Sequence, residues 1–363
     1  MGLFSRTKTV DLFFVGCDGT DLDRGIYGFY LDVTNGQIVK KKFVKSLANP
    51  IAMRPFGRFM NITYRNGSGK DVDGGIWQYA MMDLQLGLAQ RSPYQGKTYV
   101  DTIISPDGKM CYGIDYYNGE IVSSPIVKSK MTKIHLEGQL SSSSVDPIKQ
   151  SESHPSSLCF TPDGKLVVTD LGGDEVLIYD FDEEGHLVFN EEASFKVEAG
   201  SGPRKLIFNH QGDYAYLINE ISSMIHVYHY EDGHFTLVQS LSSYLKEEYD
   251  GQNMPTDLVL SEDDDYLFVT NKGDDTLVAF AIDEEHQIKR VDCLEVDEGP
   301  SCLQLFENKY LVVCSKAAGT VESFEIRAHE RNGVLFETQS RVSIHSPTCI
   351  ALGKTQVRVT NWS

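Results

Sequence analysis

A two-strand unit that opens on a proline and closes on a polar residue returns along this chain about every fifty residues, the period of a propeller blade. The clearest copies run from His154-Pro155 to Asp170, from Gly202-Pro203 to Asn219 and from Met254-Pro255 to Asn271. Each reads as a strand, a tight turn rich in Asp, Asn or Gly, and a returning strand. Weaker copies begin at Pro50, near Val100, at Pro300 and at Pro347. Third strands follow at Glu175 to Phe181, Ile225 to Tyr230 and Thr276 to Ile282, each leading through a turn to a fourth.

The starts give seven four-stranded units, but the last runs out after two strands. The segments Val10 to Gly16 and Ile26 to Val33 alternate in the same way and are expected to complete it. The predicted architecture is therefore all-β, a single seven-bladed β-propeller over residues 1–363, with N- and C-terminal strands closing the ring so that no sheet edge is left unpaired. No linker-like run divides the chain. The serine-rich stretch Ser141 to Ser153 is read as an exposed loop between blades.

The formal net charge of −19 sets long-range repulsion against nucleic acid and anionic membrane surfaces, so neither is an expected partner. It leaves room for a small anion, because a few cations in a narrow cleft reverse the sign locally. The seven cysteines contain no C-x-x-C pair and are expected to be structural thiols in a reducing compartment. The start MGLFSRTKTVDLFF has no apolar stretch of signal-peptide length, and Arg6 stands where myristoylation needs Ser or Thr. A cytoplasmic location is the expectation.

Because the two strands of each unit are antiparallel, their outer ends share one face, and residues flanking them converge on one mouth of the central channel. Those residues are His154 and Asp170, Arg204 and Glu220, and Asn271 and Lys272. A histidine, cations and carboxylates on three neighbouring blades suit acid-base chemistry on an anionic ligand. Asp170, in Asp-Leu-Gly at a strand end, also suits tying adjacent loops through backbone N–H groups.

The segments FTPDGKLVVTDLG after His154-Pro155, GPRKLIF with YAYLINE, and DLVLSEDDDYLFVTNKGDDTLVAF resemble the lactonase family of seven-bladed propellers, which includes 6-phosphogluconolactonases and carboxymuconate-lactonizing enzymes. The opening FFVGCDG with GIYGFYLDVTNGQI is similar to the family's first strands. The resemblance implies that His154, Arg204 and Glu220 take part in proton transfer and anion binding. Substrate binding is expected of Lys272, Asp170, Asn271 and Lys205. Lys272 stands where those relatives usually carry Arg, which loses the planar fork of a guanidinium, and Lys205 where many carry His, so any second imidazole is missing.

No cofactor is expected. The remaining histidines, including His226 and His229 and the distant His329, lack metal-ligand spacing. Gly67-Ser68-Gly69 lacks the first glycine of a G-x-S-x-G elbow, which argues against a serine nucleophile.

The leading expectation is hydrolysis of a sugar-acid lactone, most concretely 6-phosphogluconolactone, with His154 or Glu220 as base and Arg204 and Lys272 holding the anionic groups. The alternatives are cycloisomerisation of a carboxylated muconate and a non-catalytic binding propeller. The geometric discriminator is whether Arg204, His154 and Glu220 share one pocket of roughly 300 Å³ or more.

Overall fold

The computed structural model describes residues 7–19, 24–67, 72–245, 249, 251–328 and 333–360. Ser68, Gly69, His329 and the residues before Thr7 lie outside them. Among the described residues there is no helix, and none therefore is long and apolar enough to cross a membrane. The strands form seven small antiparallel sheets arranged as a seven-bladed propeller.

Blade 1 contains Thr7–Cys17, Gly25–Asp32 and Ile38–Lys45, with Pro347–Thr360 as its innermost strand. Blades 2 to 7 begin at Pro50, Tyr99, Pro155, Pro203, Pro255 or its neighbour Met254, and Pro300. Blade 3 is the irregular one. Its outer edge is split into Lys130–Met131 and His135–Gln139, both paired to Glu120–Val127.

Ring closure differs from the expected two-plus-two arrangement. The C-terminus supplies one strand and the N-terminus three, because residues 347 to 360 do not turn back on themselves. They run as one strand of 14 residues along Thr7–Cys17, absorbing their irregularities as register shifts. Gly353 lies at such a place, where a Cβ would meet Phe14 at 2.8 Å.

All seven innermost strands share one device. The proline pairs with the end of the next strand, the following residue is bulged out, and pairing resumes at the residue after that. Proline is tolerated there because it opens the strand and owes the ladder no N–H. Tyr99 replaces it in blade 3, which is why that repeat is faint in the sequence. The bulged residues are Ile51, Val100, Ser156, Arg204, Thr256, Ser301 and Thr348.

Several of them tie blade to blade. Ser156 Oγ donates to Pro203 O at 2.8 Å, Arg204 Nε to Thr256 O at 2.8 Å, and Ser301 Oγ to Pro347 O at 2.9 Å. Thr348 Oγ1 donates to Pro50 O. Between blades the packing is apolar. Ile218 and Val227 of blade 5 meet Leu258 and Val269 of blade 6, and Phe13 and Phe29 of blade 1 stack at 5.0 Å beside Phe306 of blade 7. Each such side chain contributes roughly 1.5 to 3 kcal/mol when fully buried.

The Ser141 to Ser153 stretch is a loop, as expected, but it is anchored rather than free. Asp146 Oδ1 accepts the N–H groups of Ile148 and Lys149 at 2.9 Å, and the buried Gln150 donates to Leu171 O at 2.9 Å. All seven cysteines are free thiols.

Asp11 is fully buried on blade 1, where its Oδ1 accepts the Gln356 N–H at 2.7 Å. Burial raises its carboxyl from 3.8 to about 6, the Gln356 bond works against the shift, and the charge of Glu307 adds to it. The folded protein thus holds this proton to a higher pH than the unfolded chain, so stability falls as pH rises from about 4 to 6. Asp11→Asn is expected to stabilise the fold by on the order of 1 to 3 kcal/mol at pH 8 and by little at pH 4. Denaturant melts of the two proteins at both pH values check this. An equal gain at both pH values would remove the titration argument.

Candidate active site

Two residues per blade face the axial channel at the bulge, and a third faces it where the second strand ends. One step past the proline's pairing partner stand Asp18, Arg65, Tyr116, Leu171, Glu220, Lys272 and Lys316, one from each blade. All but Asp18 line a cavity of about 1160 Å³, together with the seven bulged residues. The cavity is well above the roughly 300 Å³ at which small-ligand sites begin.

Arg204 and Glu220 meet on its wall because Gly202, at φ +65°, turns the chain into the inner strand while its carbonyl accepts the Glu220 N–H at 2.7 Å. Arg204 Nη1 is bonded to Glu220 Oε2 and its Nε to Thr256 O, leaving Nη2 without a partner among the described residues. Lys149, from the anchored loop, reaches Glu220 Oε1 at 3.2 Å. Burial works to raise the Glu220 carboxyl, but Arg204 and Lys149 outweigh it and hold the group below the ordinary glutamate range. It is an ionised carboxylate with 16% of its side chain exposed, facing the cavity.

His154 has a different setting. It is buried and has no surface on the cavity. Its ring stacks on Tyr116 at 4.4 Å, and Nδ1 lies 3.0 Å from Tyr116 O. Since a carbonyl only accepts, Nδ1 carries a proton and the ring is fixed behind the tyrosine. Tyr116 itself lines the cavity. Burial and the Glu220 charge push its phenol up to about 12, so it remains a hydrogen-bond donor.

Asp170 and Asn271 are fully buried and line no part of the cavity. Asp170 Oδ1 accepts the N–H groups of His154 at 2.6 Å and Gly172 at 3.1 Å. Asn271 Oδ1 accepts from Ser243 Oγ at 2.7 Å and from Asn253 Nδ2 at 3.0 Å. Both side chains tie loops together, which explains their positions at strand ends better than contact with a ligand does. Lys205 lines the cavity but is bonded to Asp257, and Lys272 lines it with no ion-pair partner among the described residues.

Deeper in the channel, Arg54 grips Asp101 with two bonds of 2.8 Å. Asp101 also accepts the N–H of Leu158 in blade 4 at 3.0 Å. Lys205 and Asp257 repeat the pattern three blades on, with Asp257 accepting the Leu303 N–H of blade 7 at 2.9 Å. Each aspartate thus bridges three consecutive blades. Cys302 and Cys349 also line the channel, but burial pushes the Cys349 thiol up to about 12 and raises Cys302, so neither is a nucleophile at neutral pH. Among the described residues no three His, Cys, Asp or Glu side chains cluster as metal ligands.

In all, six cations and three carboxylates line the cavity. Within a chain of net charge −19 this is a local reversal of sign. The discriminating geometry is met by Arg204 and Glu220, which share one large pocket, while His154 stands behind it. Tyr116, Lys149 and Arg54 were missed from sequence. Tyr116 had one usable signal, its place one step beyond a strand end, equivalent to Glu220 and Lys272.

Across residues 13–352 the chain matches the family profile described as "Lactonase, 7-bladed beta-propeller". The chain belongs to this family. Among curated relatives of the lactonase propeller, an uncharacterised Staphylococcus saprophyticus protein is 28% identical over 305 residues, covering 82% of this chain and 86% of its own. The uncharacterised protein YwcC of Lactococcus lactis is 34% identical over 278 residues, covering 72% and 75%. Among solved structures, a Bacteroides fragilis protein provisionally named a 6-phosphogluconolactonase superposes with a TM-score of 0.83 at 24% identity, covering 95% of this lactonase propeller and 98% of that chain. The periplasmic gluconolactonase of Pseudomonas aeruginosa gives 0.82 at 24%, covering 95% and 99%. At such identities these two share the fold.

Proposed function

We propose that the protein hydrolyses a sugar-acid lactone, with 6-phosphogluconolactone as the most concrete substrate. Family membership supports a lactonase, and the observation that carries the reading further is the Arg204–Glu220 pair on the wall of a cation-rich cavity. Water adds to the lactone carbonyl carbon and gives its proton to Glu220. The tetrahedral oxyanion is met by the spare Nη2 donor of Arg204 and by the Tyr116 hydroxyl. On collapse the ring C–O bond breaks, the proton passes to the leaving alkoxide, and an open hydroxy acid remains. Glu220 is a weak base, which suffices because such lactones open slowly unaided and need only a modest push. His154 acts indirectly, by holding Tyr116.

The test is the rate of 6-phosphogluconolactone opening, coupled to a downstream dehydrogenase, for wild type and Arg204→Ala. The wild type is expected to exceed the blank, and the variant to lose about a hundredfold in kcat/KM, as removal of one oxyanion donor typically does. A wild-type rate equal to the blank would end the hydrolytic reading.

A further inference from the structure

The cavity is larger than a lactone ring needs, and its charge is unevenly spread. Three of the six lining cations are neutralised on the spot, Arg54 by Asp101, Lys205 by Asp257 and Arg204 by Glu220. Arg65 lies over the ring of Tyr117 at 4.1 Å. The surplus positive charge with room to meet a ligand therefore falls on the neighbouring Lys272 and Lys316, in blades 6 and 7.

Lys316 begins a tight turn whose amides are nearly all spent. Its own N–H donates to Gly299 O at 2.7 Å, that of Ala318 to Glu298 O at 3.0 Å and that of Gly319 to Ser315 O at 2.9 Å. The Ala317 N–H is the exception, with no partner among the described residues, and Ala317 lines the cavity. The residue beside it is Gly299, at φ +71°, where a Cβ would lie 2.8 Å from Ala317 Cβ and 3.1 Å from its nitrogen. Glycine keeps that amide approachable. The Lys316 ammonium has only a loose tie, 3.6 Å to Asp18, with both side chains more than a third exposed. Such a pair is readily exchanged for a ligand anion. His345, on the approach to the innermost strand of blade 1, is exposed on the same stretch of wall and makes no hydrogen bond among the described residues.

We infer that Lys316, the Ala317 N–H and His345 form a second anion subsite, which takes the phosphoryl group of a phosphorylated sugar-acid lactone while the ring lies against Arg204, Glu220 and Tyr116. The inference rests on the hydrolytic reading above for the identity of the ring. A phosphoryl group fits this set better than a single carboxylate, because it offers three acceptor oxygens to donors of different kinds. Lys272, on the adjacent blade, lies between the two ends of the ligand.

The experiment compares 6-phosphogluconolactone with unphosphorylated glucono-1,5-lactone, using wild type, Lys316→Gln and His345→Asn. The ratio of the two kcat/KM values is expected to fall about tenfold in Lys316→Gln, through KM for the phosphorylated lactone, and several-fold in His345→Asn. An unchanged ratio in both variants would overturn the subsite. In parallel, calorimetry measures binding of 6-phosphogluconate, gluconate and inorganic phosphate. Tight binding of 6-phosphogluconate alone, weakened about tenfold by Lys316→Gln, supports the subsite even if no lactone is opened, in which case only the hydrolytic reading fails. Binding indifferent to Lys316→Gln, or equal for gluconate and 6-phosphogluconate, overturns it whatever the activity.

Discussion

Glu220→Gln is expected to lower kcat/KM for lactone opening about a thousandfold, within the 10²- to 10⁴-fold range typical of a positioned general base. The amide keeps the shape of the side chain and can still accept one bond from Arg204, so the fold should be unaffected while the basic oxygen is lost. The pH profile separates this role from its alternative. Arg204 and Lys149 hold Glu220 below its ordinary value of 4.5, so the carboxylate stays ionised on moving down through the mildly acidic range. The acid limb of kcat/KM should therefore lie below pH 4.5. An imidazole base would instead bring a limb near pH 6.5, the ordinary histidine value. A limb near that pH in wild type, together with a Glu220→Gln variant that retains most of its activity, would show that Glu220 is not the base.

Asp101→Ala should cost about 2 to 4 kcal/mol of stability, since each buried donor left without an acceptor costs roughly 1 to 3 kcal/mol and the half-exposed Arg54 adds little. Two effects combine. The Arg54 guanidinium loses both of its carboxylate bonds, a loss softened by its exposure to the cavity. The Leu158 and Thr102 N–H groups, which Asp101 also receives, are left without a protein acceptor at nearly buried positions. Asp257→Ala should behave alike, since Leu303 and Leu258 N–H depend on it in the same way. Asp101→Asn should cost less, because an amide oxygen can still take a backbone bond. Chemical denaturation reads these differences directly. Losses below about 1 kcal/mol for both alanine variants would show that the aspartates are dispensable to the ring.

The blade count and the hairpin positions were legible because both are local. A proline, an alternating strand and a turn of Asp, Asn or Gly sit within twenty residues of one another, and each blade repeats them. The strand that closes the ring was half legible. Alternation marked residues near Val10 and Ile26, but nothing local says whether Pro347–Thr360 turns back or runs straight. Arg204 and Glu220 could be found because they flank one hairpin and lie 16 residues apart. Lys149 and Glu220 are 71 apart, and Arg54 and Asp101 are 47 apart, about one blade. Contacts of that kind depend on how neighbouring blades are rotated against each other, which no single repeat encodes. His154 shows the converse. It flanks a hairpin as read from the sequence, yet the stacking of Tyr116, from the preceding blade, decides what it can reach.

The two bridging aspartates divide the ring mechanically. Asp101 fastens blades 2, 3 and 4 into one rigid arc, and Asp257 fastens blades 5, 6 and 7 into another. At the channel wall the flanks of blade 1 are held by hydroxyl bonds from Ser301 and Thr348, and the joint between the arcs by the Ser156 and Thr169 hydroxyls and the Lys149–Glu220 pair. Blade 1, sewn from both ends of the chain, is the clasp. If the ring breathes, it should flex at the clasp and at the joint opposite, whereas Arg204, Glu220, Lys272 and Lys316 ride together on one arc. The span from Arg204 to Lys316 is thereby insulated from the motion that would let a ligand in, while Tyr116 on the other arc and His345 at the clasp shift relative to it.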